Sequence, residues 1–181
     1  SLVKVFAPLA DYLAINVSSP NTVGLRRLQA RQDLEALLAP LVTERREQQL
    51  LLGRPLPILV KLAPDLSEVE LDDALEVVQR AGLDGVIAAN TTLSRPGLTS
   101  PLASEPGGLS GAPLGQLSLE MVRRIHAHTG GRLPIMAAGG VMSAADARAR
   151  LDAGAALVQI YTGLVYAGPG LVRSILQNLP T

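Results

Sequence analysis

The chain contains no cysteine, which excludes a disulfide framework, a thiolate nucleophile and any metal site held by cysteine. Histidine is nearly as scarce. The two histidines, His126 and His128, stand two positions apart in a helical pattern, so their side chains point in different directions. We therefore predict no metal site.

An excess of charge of one sign is also missing, because 16 basic side chains balance 16 acidic ones. Proteins that bind nucleic acids usually carry a basic surface, and those that stack on bases need aromatic side chains. The chain has one Phe, three Tyr and no Trp among 181 residues. We predict that nucleic acid is not a partner.

Long hydrophobic runs are absent too, since no apolar stretch approaches the roughly 18 residues that a membrane-spanning helix needs. The sequence also shows no charged segment followed by an apolar one and a small-residue cleavage site, as a secretory leader would. We expect these residues by themselves to be soluble.

Five short apolar runs, each bounded by turn residues, predict buried β-strands. They lie at residues 12–17, 57–63, 84–90, 134–140 and 156–162. Between them, apolar residues recur three and four positions apart at 34–42 and 71–81, as in a helix that packs one face on a sheet. Further helices are predicted at about 117–129, 143–153 and 169–179, and residues 1–13 resemble a helix that leads into the first strand.

Two serines are predicted to cap helices. Ser67 and Glu70 form a capping-box pattern, in which each side chain accepts a hydrogen bond from a backbone N–H of the first turn. Ser143 is the predicted N-cap of the helix at 143–153.

Apolar strands that alternate with amphipathic helices predict an α/β fold, because crossover helices join parallel strands. Five strand–helix units do not fill a (β/α)8 barrel of about 250 residues, so the residues alone leave an open sheet or a truncated barrel. We predict a single domain over residues 1–181. The irregular stretch at 91–116, rich in Gly, Pro and Ser, is either a functional lid or a disordered linker.

Polar groups follow all five predicted strands, at the end where both architectures bind ligands. Each of these groups alone is also what an ordinary turn contains, but their coincidence favours a site. The polar groups stand at 16–22, Lys61, 90–92, 139–140 and 161–163.

Lys61 is a lone ammonium group at the end of an apolar strand, and it needs an anionic partner. That partner is either Asp65, four positions on, or the charge of a ligand.

The pair Gly139 and Gly140, together with residues 161–163, resembles the phosphate site that the last two loops of a barrel form. Residues 109–111 could add a further backbone donor. With no Cys, metal ligands or useful His, this set predicts that a phosphorylated cofactor carries the chemistry, with Ser19 as a proton-transfer group.

Six motifs, matched in order and spacing, resemble those of dihydroorotate dehydrogenase. The resemblance covers nearly the whole chain, from about Tyr12 to Gly170. It is strongest with the class 2, quinone-linked branch, because Ser19 stands where the soluble class 1 enzymes carry Cys. The motifs are residues 16–22, 60–65, 90–92, 107–111, 138–141 and 159–162.

The resemblance implies an FMN enzyme of pyrimidine biosynthesis that oxidises (S)-dihydroorotate to orotate and passes the electrons to a quinone. Ser19 would remove the C5 proton while hydride leaves C6 for the flavin. Lys61 would offset the negative charge that develops on the reduced flavin. Both are therefore expected to be catalytic.

The same resemblance assigns binding roles. Four side chains are expected to hold the substrate ring: Asn16, Asn21, Asn90 and Thr91. A second set is expected to hold the FMN, most of it through backbone at the phosphate: Asn16, Lys61, Ala89, Gly111, Gly140, Tyr161 and Thr162. Ala89 departs from the hydroxyl residue often found at its position, which matters little for a backbone contact.

Family members carry three further strands before the segment that matches 16–22, and class 2 members also carry an N-terminal helical pair that contacts the membrane. Neither has a counterpart in these residues. We therefore expect a partial TIM (β/α)8 barrel, strands 4–8, that is inactive alone. The resemblance implies a peripheral inner-membrane location, on the cytoplasmic side in a bacterium or in mitochondria in a eukaryote.

Two other hypotheses stay open. The chain could belong to another FMN-dependent or phosphate-binding barrel oxidoreductase. It could also be a truncated, non-catalytic protein that binds a partner through an open sheet edge.

Overall fold

The computed structural model describes residues 1–95 and 97–179, and its centre is one sheet of five parallel strands. The strands lie in the sheet in the order in which they occur in the sequence. They are β1 (Leu13–Asn16), β2 (Ile58–Leu62), β3 (Gly85–Ala88), β4 (Ile135–Ala138) and β5 (Leu157–Gln159). The predicted α/β class with parallel strands is confirmed.

Helices connect the strands or flank the first and last of them in the sequence, and they cover one face of the sheet. They are α1 (Leu2–Phe6), α2 (Arg31–Leu52), α3 (Glu68–Arg80), α4 (Gly115–Thr129), α5 (Ala144–Asp152), α6 (Thr162–Ala167) and α7 (Gly170–Gln177). The main core lies between this helical layer and the sheet, where side chains such as Leu38, Val60, Leu75 and Ile135 are buried. Within the described residues, no helix is both long and apolar enough to cross a membrane.

The other face of the sheet is concave. Alternate strand residues form a small buried cluster there, made of Leu59, Ile87, Met136 and Ala138. The side chain of Gln159 in β5 donates to the hydroxyl of Tyr12, just before β1, at 3.4 Å. The first and last strands therefore approach each other across this concave face, as expected for a strongly curved part of a barrel.

Both predicted helix caps are confirmed. Ser67 and Glu70 form the reciprocal capping box at the start of α3, and Ser143 accepts from the backbone N–H of Asp146 at the start of α5. The helices predicted at 143–153 and 169–179 are each shorter by one or two residues at their ends, whereas α4 begins at Gly115, earlier than predicted.

All five strands are shorter than predicted, because the hydrogen-bonded ladder stops where the backbone turns into each loop. The largest correction concerns the run at 156–162. Strand β5 stops at Gln159, opposite Ala138, and α6 begins at Thr162. The apolar pattern of the sequence does not predict α6.

The irregular stretch predicted at 91–116 ends earlier, because α4 begins at Gly115, and its described residues include two short 3-10 helices, Pro101–Ser104 and Ala112–Leu114. This stretch is closed at its base. Thr92 and Leu109 form an antiparallel bridge, with N–H to C=O distances of 3.1 and 2.7 Å. The side chain of Arg95 donates to the carbonyl oxygens of Thr92 and Gly107, and so holds the two arms of the loop together. We call residues 92–109 the long loop.

Candidate active site

A cavity of about 510 Å³ lies at the carboxyl ends of β2, β3, β4 and β5. Its volume falls within the roughly 300–1,000 Å³ typical of small-molecule sites. Several predicted site residues line it: Lys61, Ala89, Asn90, Thr91, Gly140, Tyr161 and Thr162. The fold therefore brings together residues that are up to 101 positions apart, from Lys61 to Thr162.

Lys61 points from β2 toward the concave face, in register with Asn16 on one side and Ile87 on the other. Its side chain is half-buried, and burial lowers the pKa of its ammonium group below the ordinary value. None of the ion pairs found in residues 1–95 and 97–179 involves Lys61. The cavity thus contains a cation whose charge no described carboxylate balances.

The alternative that Asp65 pairs with Lys61 is wrong. The carboxylate of Asp65 accepts from the guanidinium of Arg26 at 2.7 Å, and also from the hydroxyl of Thr92 and the backbone N–H of Leu93. Burial raises the pKa of Asp65, but these hydrogen bonds and the charge of Arg26 outweigh burial, so the pKa lies below its ordinary value. Asp65 therefore binds the start of the long loop and does not pair with Lys61.

Asn90 lines the cavity, whereas Asn16 is not among the described lining residues and contacts Asn90 from the end of β1. The amide N–H of Asn90 donates to the side-chain oxygen of Asn16 at 3.2 Å and to the hydroxyl of Ser18 at 3.0 Å. The hydroxyl of Ser18 donates to the same Asn16 oxygen at 3.1 Å, and the side-chain oxygen of Asn90 accepts from the N–H of Thr91. The two amides are therefore held in fixed orientations, which suits recognition of a ring with donors and acceptors.

Ser19 and Asn21 lie on the loop after β1, and neither is among the described residues that line the cavity. Ser19 is half-buried, and its hydroxyl oxygen accepts from the backbone N–H of Asn21 at 3.3 Å. Pro20, between them, approaches the long loop at Gly108, where a Cβ would lie 3.0 Å from the proline ring. The two loops thus pack together at the rim.

Glycines form the opposite end of the cavity. Gly139 and Gly140 have φ values of 95° and 68°, which side chains rarely adopt, and a Cβ on Gly140 would lie 2.2 Å from the Cα of Gly115. A Cβ on Gly163 would lie 2.3 Å from the carbonyl oxygen of Val141. Close packing within the protein thus excludes side chains at these positions, and the loop backbone lines this end of the cavity. Backbone N–H groups in loops of this kind bind phosphate in other proteins.

Gly111 does not line the cavity but supports it. It has a φ of 77°, and a Cβ there would lie 3.1 Å from the Cγ2 of Thr162. The hydroxyl of Thr162 donates to that of Ser110 at 3.0 Å. The segment that directly follows the long loop is thereby joined to the first residue of α6.

Arg26 was missed by the sequence analysis. It lies after β1 and donates to the carbonyl oxygen of Ser18 at 3.0 Å, to Asp65, and to the carbonyl oxygen of Thr91 at 2.9 Å. One guanidinium group thus joins the loops that follow β1, β2 and β3. No local signal could reveal this role, because its partners are 8, 39 and 65 positions away.

Parallel strands with covering helices, and a cavity at the strands' carboxyl ends, define an α/β protein that binds a ligand at this end of its sheet. Residues 1–181 match the family model described as dihydroorotate dehydrogenase. The chain belongs to the dihydroorotate dehydrogenase family.

Relatives and solved structures agree with this assignment. The chain is 54% identical over 173 residues to the dihydroorotate dehydrogenase (quinone) of Anaeromyxobacter sp. (strain Fw109-5), covering 95% of this chain and 47% of the relative. It is 50% identical to the protein of that name from Chelativorans sp. (strain BNC1), covering 98% of this chain and 49% of the relative. The ligand-free dihydroorotate dehydrogenase of Eimeria tenella superposes with a TM-score of 0.91 at 39% identity, covering 97% of this chain and 52% of that one.

The chain spans about half the length of the curated relatives it matches. The five-stranded sheet accordingly corresponds to part of a barrel, which settles the choice between an open sheet and a partial barrel that the residues alone left open.

Proposed function

We propose that this chain provides the flavin-binding and substrate-binding part of a quinone-linked dihydroorotate dehydrogenase. The reaction is the oxidation of (S)-dihydroorotate to orotate in pyrimidine biosynthesis. The observation that carries the proposal is the cavity with Lys61 near the two fixed amides and glycine loops opposite them. The family assignment gives this arrangement its chemistry.

The residues present fit FMN. The cavity has the volume of a small-molecule site, its glycine loops suit a phosphate, and Lys61 supplies a cation that no described carboxylate balances. When bound, FMN supplies the hydride acceptor. The residues that would hold it are Asn16, Lys61, Ala89, Gly111, Gly140, Tyr161 and Thr162.

Lys61 is proposed to stabilise negative charge in the cavity. Because the group is partly desolvated, its interaction with an anion is stronger than it would be in water. Its backbone is fixed between β1 and β3, so the side chain already lines the cavity before the charge develops. Preorganised charge of this kind lowers the barrier without a cost of reorientation.

Ser19 is proposed to take the C5 proton of the substrate while its own hydroxyl proton passes on to water. A serine hydroxyl is a weak base in water, so the role requires a closed site. The N–H of Asn21 points at the Ser19 oxygen and would stabilise charge that builds there. The packing of the long loop near Pro20 supports closure of this rim.

The substrate ring is proposed to be bound by Asn16, Asn21, Asn90 and Thr91. Side-chain amides offer both a donor and an acceptor, as the amide groups of the ring require. The hydrogen bonds of Asn90 to Asn16 and Ser18 support a fixed orientation of this set.

A quinone is proposed as the acceptor, because the relatives are named for it. We further propose peripheral contact with the inner membrane through a region outside these residues, on the cytoplasmic side in a bacterium or in the mitochondrion of a eukaryote. These 181 residues alone are not expected to catalyse the reaction, since they span about half of the length of each relative.

An anaerobic half-reaction tests the proposal. The complete reading frame that contains these residues is expressed, and we call its product the parent protein. Dihydroorotate is added without an acceptor, and the flavin absorbance should bleach. Flavin that binds but stays oxidised would favour another barrel oxidoreductase. A protein without flavin would favour the non-catalytic hypothesis.

A further inference from the structure

Arg150 is a buried cation near the end of α5, outside the residues assigned so far. Its side chain is 2% exposed. Its guanidinium donates to the carbonyl oxygens of Asp146 at 2.8 Å, Gly115 at 3.0 Å and Gly139 at 2.9 Å, and to the hydroxyl of Ser118 at 2.9 Å. All four acceptors are neutral.

The positive charge of Arg150 lacks a bonded counter-charge. No ion pair within residues 1–95 and 97–179 includes it, and its Nε is buried without a hydrogen-bond partner. The carboxylate of Asp146 is engaged with the N–H of Met142 and the hydroxyl of Ser143. Burial lowers the pKa of Arg150, and the charge of Asp146 only partly opposes this effect. A buried charge is costly unless something compensates it.

The position of Arg150 suggests the compensating group. It bonds the carbonyl of Gly139, directly before Gly140, and the carbonyl of Gly115, against which Gly140 packs. Ser118 reinforces the same place, because its hydroxyl donates to Gly139 at 2.8 Å. Arg150 therefore lies directly behind the glycine loop, on the side away from the cavity.

We propose that Arg150 is a positioning residue of the anion site, which fixes the glycine loop from behind and supplies the positive charge that favours a phosphate there. It would make the site prefer a flavin that carries a phosphate over the same flavin without one. This inference rests on the proposed function, in that the anion is taken to be the phosphate of a flavin nucleotide.

The test compares FMN with riboflavin, which lacks the phosphate. The flavin is removed from the parent protein, and the dissociation constants of both ligands are measured by fluorescence titration. In Arg150→Met, FMN affinity should fall about tenfold, which corresponds to about 1.4 kcal/mol, while riboflavin affinity stays within about twofold. Arg150→Lys keeps the charge and should retain more of the preference.

Arg148→Met is the matched control. It removes a cation from the same helix, but Arg148 is exposed and pairs with Asp152 at 2.8 Å. Its FMN preference should equal that of the parent protein. If Arg150→Met does not fold, Ser118→Ala removes one partner of Arg150 and should lower the preference several-fold.

Two outcomes would overturn the inference alone: equal losses for FMN and riboflavin, which indicate a structural role, or an unchanged preference for FMN in the Arg150 variants. A parent protein that binds neither flavin would instead overturn the proposed function, and this inference with it. The behaviour of the parent protein thus distinguishes the two failures.

Discussion

The single residue on which the site depends most is Lys61. Its pKa is lowered because burial removes water from the ammonium group, so the charged form destabilises the folded protein without ligand. The folded state therefore binds this proton less tightly than the unfolded state. This loss of folding stability is present below the lowered pKa, and it disappears as the pH rises toward the ordinary value of 10.5.

Replacement of Lys61 by Met should stabilise the flavin-free protein and weaken its function. A gain of about 1 kcal/mol would raise Tm by roughly 2–4 °C near neutral pH. This gain should shrink as the pH rises toward 10, because the parent protein then loses the charge. Thermal unfolding at several pH values measures it. Flavin content and the rate of flavin reduction should fall, and the hypothesis of a ligand-binding Lys61 fails if neither changes.

Ser19→Ala should slow the reduction of flavin by dihydroorotate about 10²-fold or more, because it removes the proton acceptor. Flavin content should stay the same, since Ser19 does not line the cavity. Anaerobic stopped-flow absorbance measures the rate. Ser174→Ala, at an exposed position on α7, is the control and should react like the parent protein. Equal rates in Ser19→Ala and the parent protein would remove Ser19 from the role of base.

Arg26→Ala should loosen three loops at once. Since Arg26 and Asp65 are each only about a fifth to a quarter exposed, the loss should be about 1–2 kcal/mol, or roughly 2–8 °C in Tm. The stability that Asp65 contributes is present above its ordinary pKa and is lost as the pH falls through the lowered pKa. The difference in stability between Arg26→Ala and the parent protein should therefore be smaller at acid pH. Arg27→Ala, an exposed neighbour, is the control for thermal unfolding.

The sequence could reveal some residues of the site but not others. Lys61, Asn90 and Gly140 could be found because each stands at or near the end of an apolar run. Arg26 and Arg150 could not, since an Arg in a loop or in a helix rich in Ala normally indicates a solvated surface. Their importance depends on carbonyl groups that only the folded chain brings near them.

Among the helices and strands, the spacing of apolar residues correctly predicted which faces are buried. The stripes at 34–42 and 71–81 are buried against the sheet, and the apolar runs are the strands. Helix α6 was missed because its six residues are too few to display a helical period. Its first residue, Thr162, donates a hydrogen bond to Ser110, a partner that the sequence does not indicate.

The capping box of α3 gives a prediction for a single element. Ser67→Ala should cost about 1 kcal/mol, or roughly 2–4 °C in Tm, because the N–H of Glu70 loses its acceptor. Thr43→Ala, at an exposed position within α2, is the matched control and should cost almost nothing. Thermal unfolding of both variants checks the difference, and equal losses would contradict a role of the cap.

For the whole molecule, the residue pattern predicted the α/β class but could not decide whether the sheet is open or part of a barrel. The reason is physical, because strand periodicity reports burial and carries no information about closure. The partial barrel was predicted only from the resemblance to dihydroorotate dehydrogenase, and it is confirmed. In the described residues, β1 and β5 each pair on one side only, and Leu157 in β5 is 58% exposed. Edges of this kind favour association between chains.

We therefore expect the 181-residue chain to self-associate with rising concentration. Leu157→Lys places a charge on the β5 edge and should shift the chain toward the monomer. Light scattering after size-exclusion chromatography measures the mass. Val23→Lys, on a fully exposed loop residue, is the control and should leave association unchanged. Similar masses for the two variants would show that the edge is not responsible.

The order of the strands has a further consequence for how the chain forms during synthesis. Each strand after the first pairs with the one that precedes it in the sequence. A ribosome adds roughly 5–20 residues per second, so the strand with which each new strand pairs has already been made when the new strand emerges. The sheet can therefore grow by one strand at a time, and no earlier pairing has to open to admit a later strand.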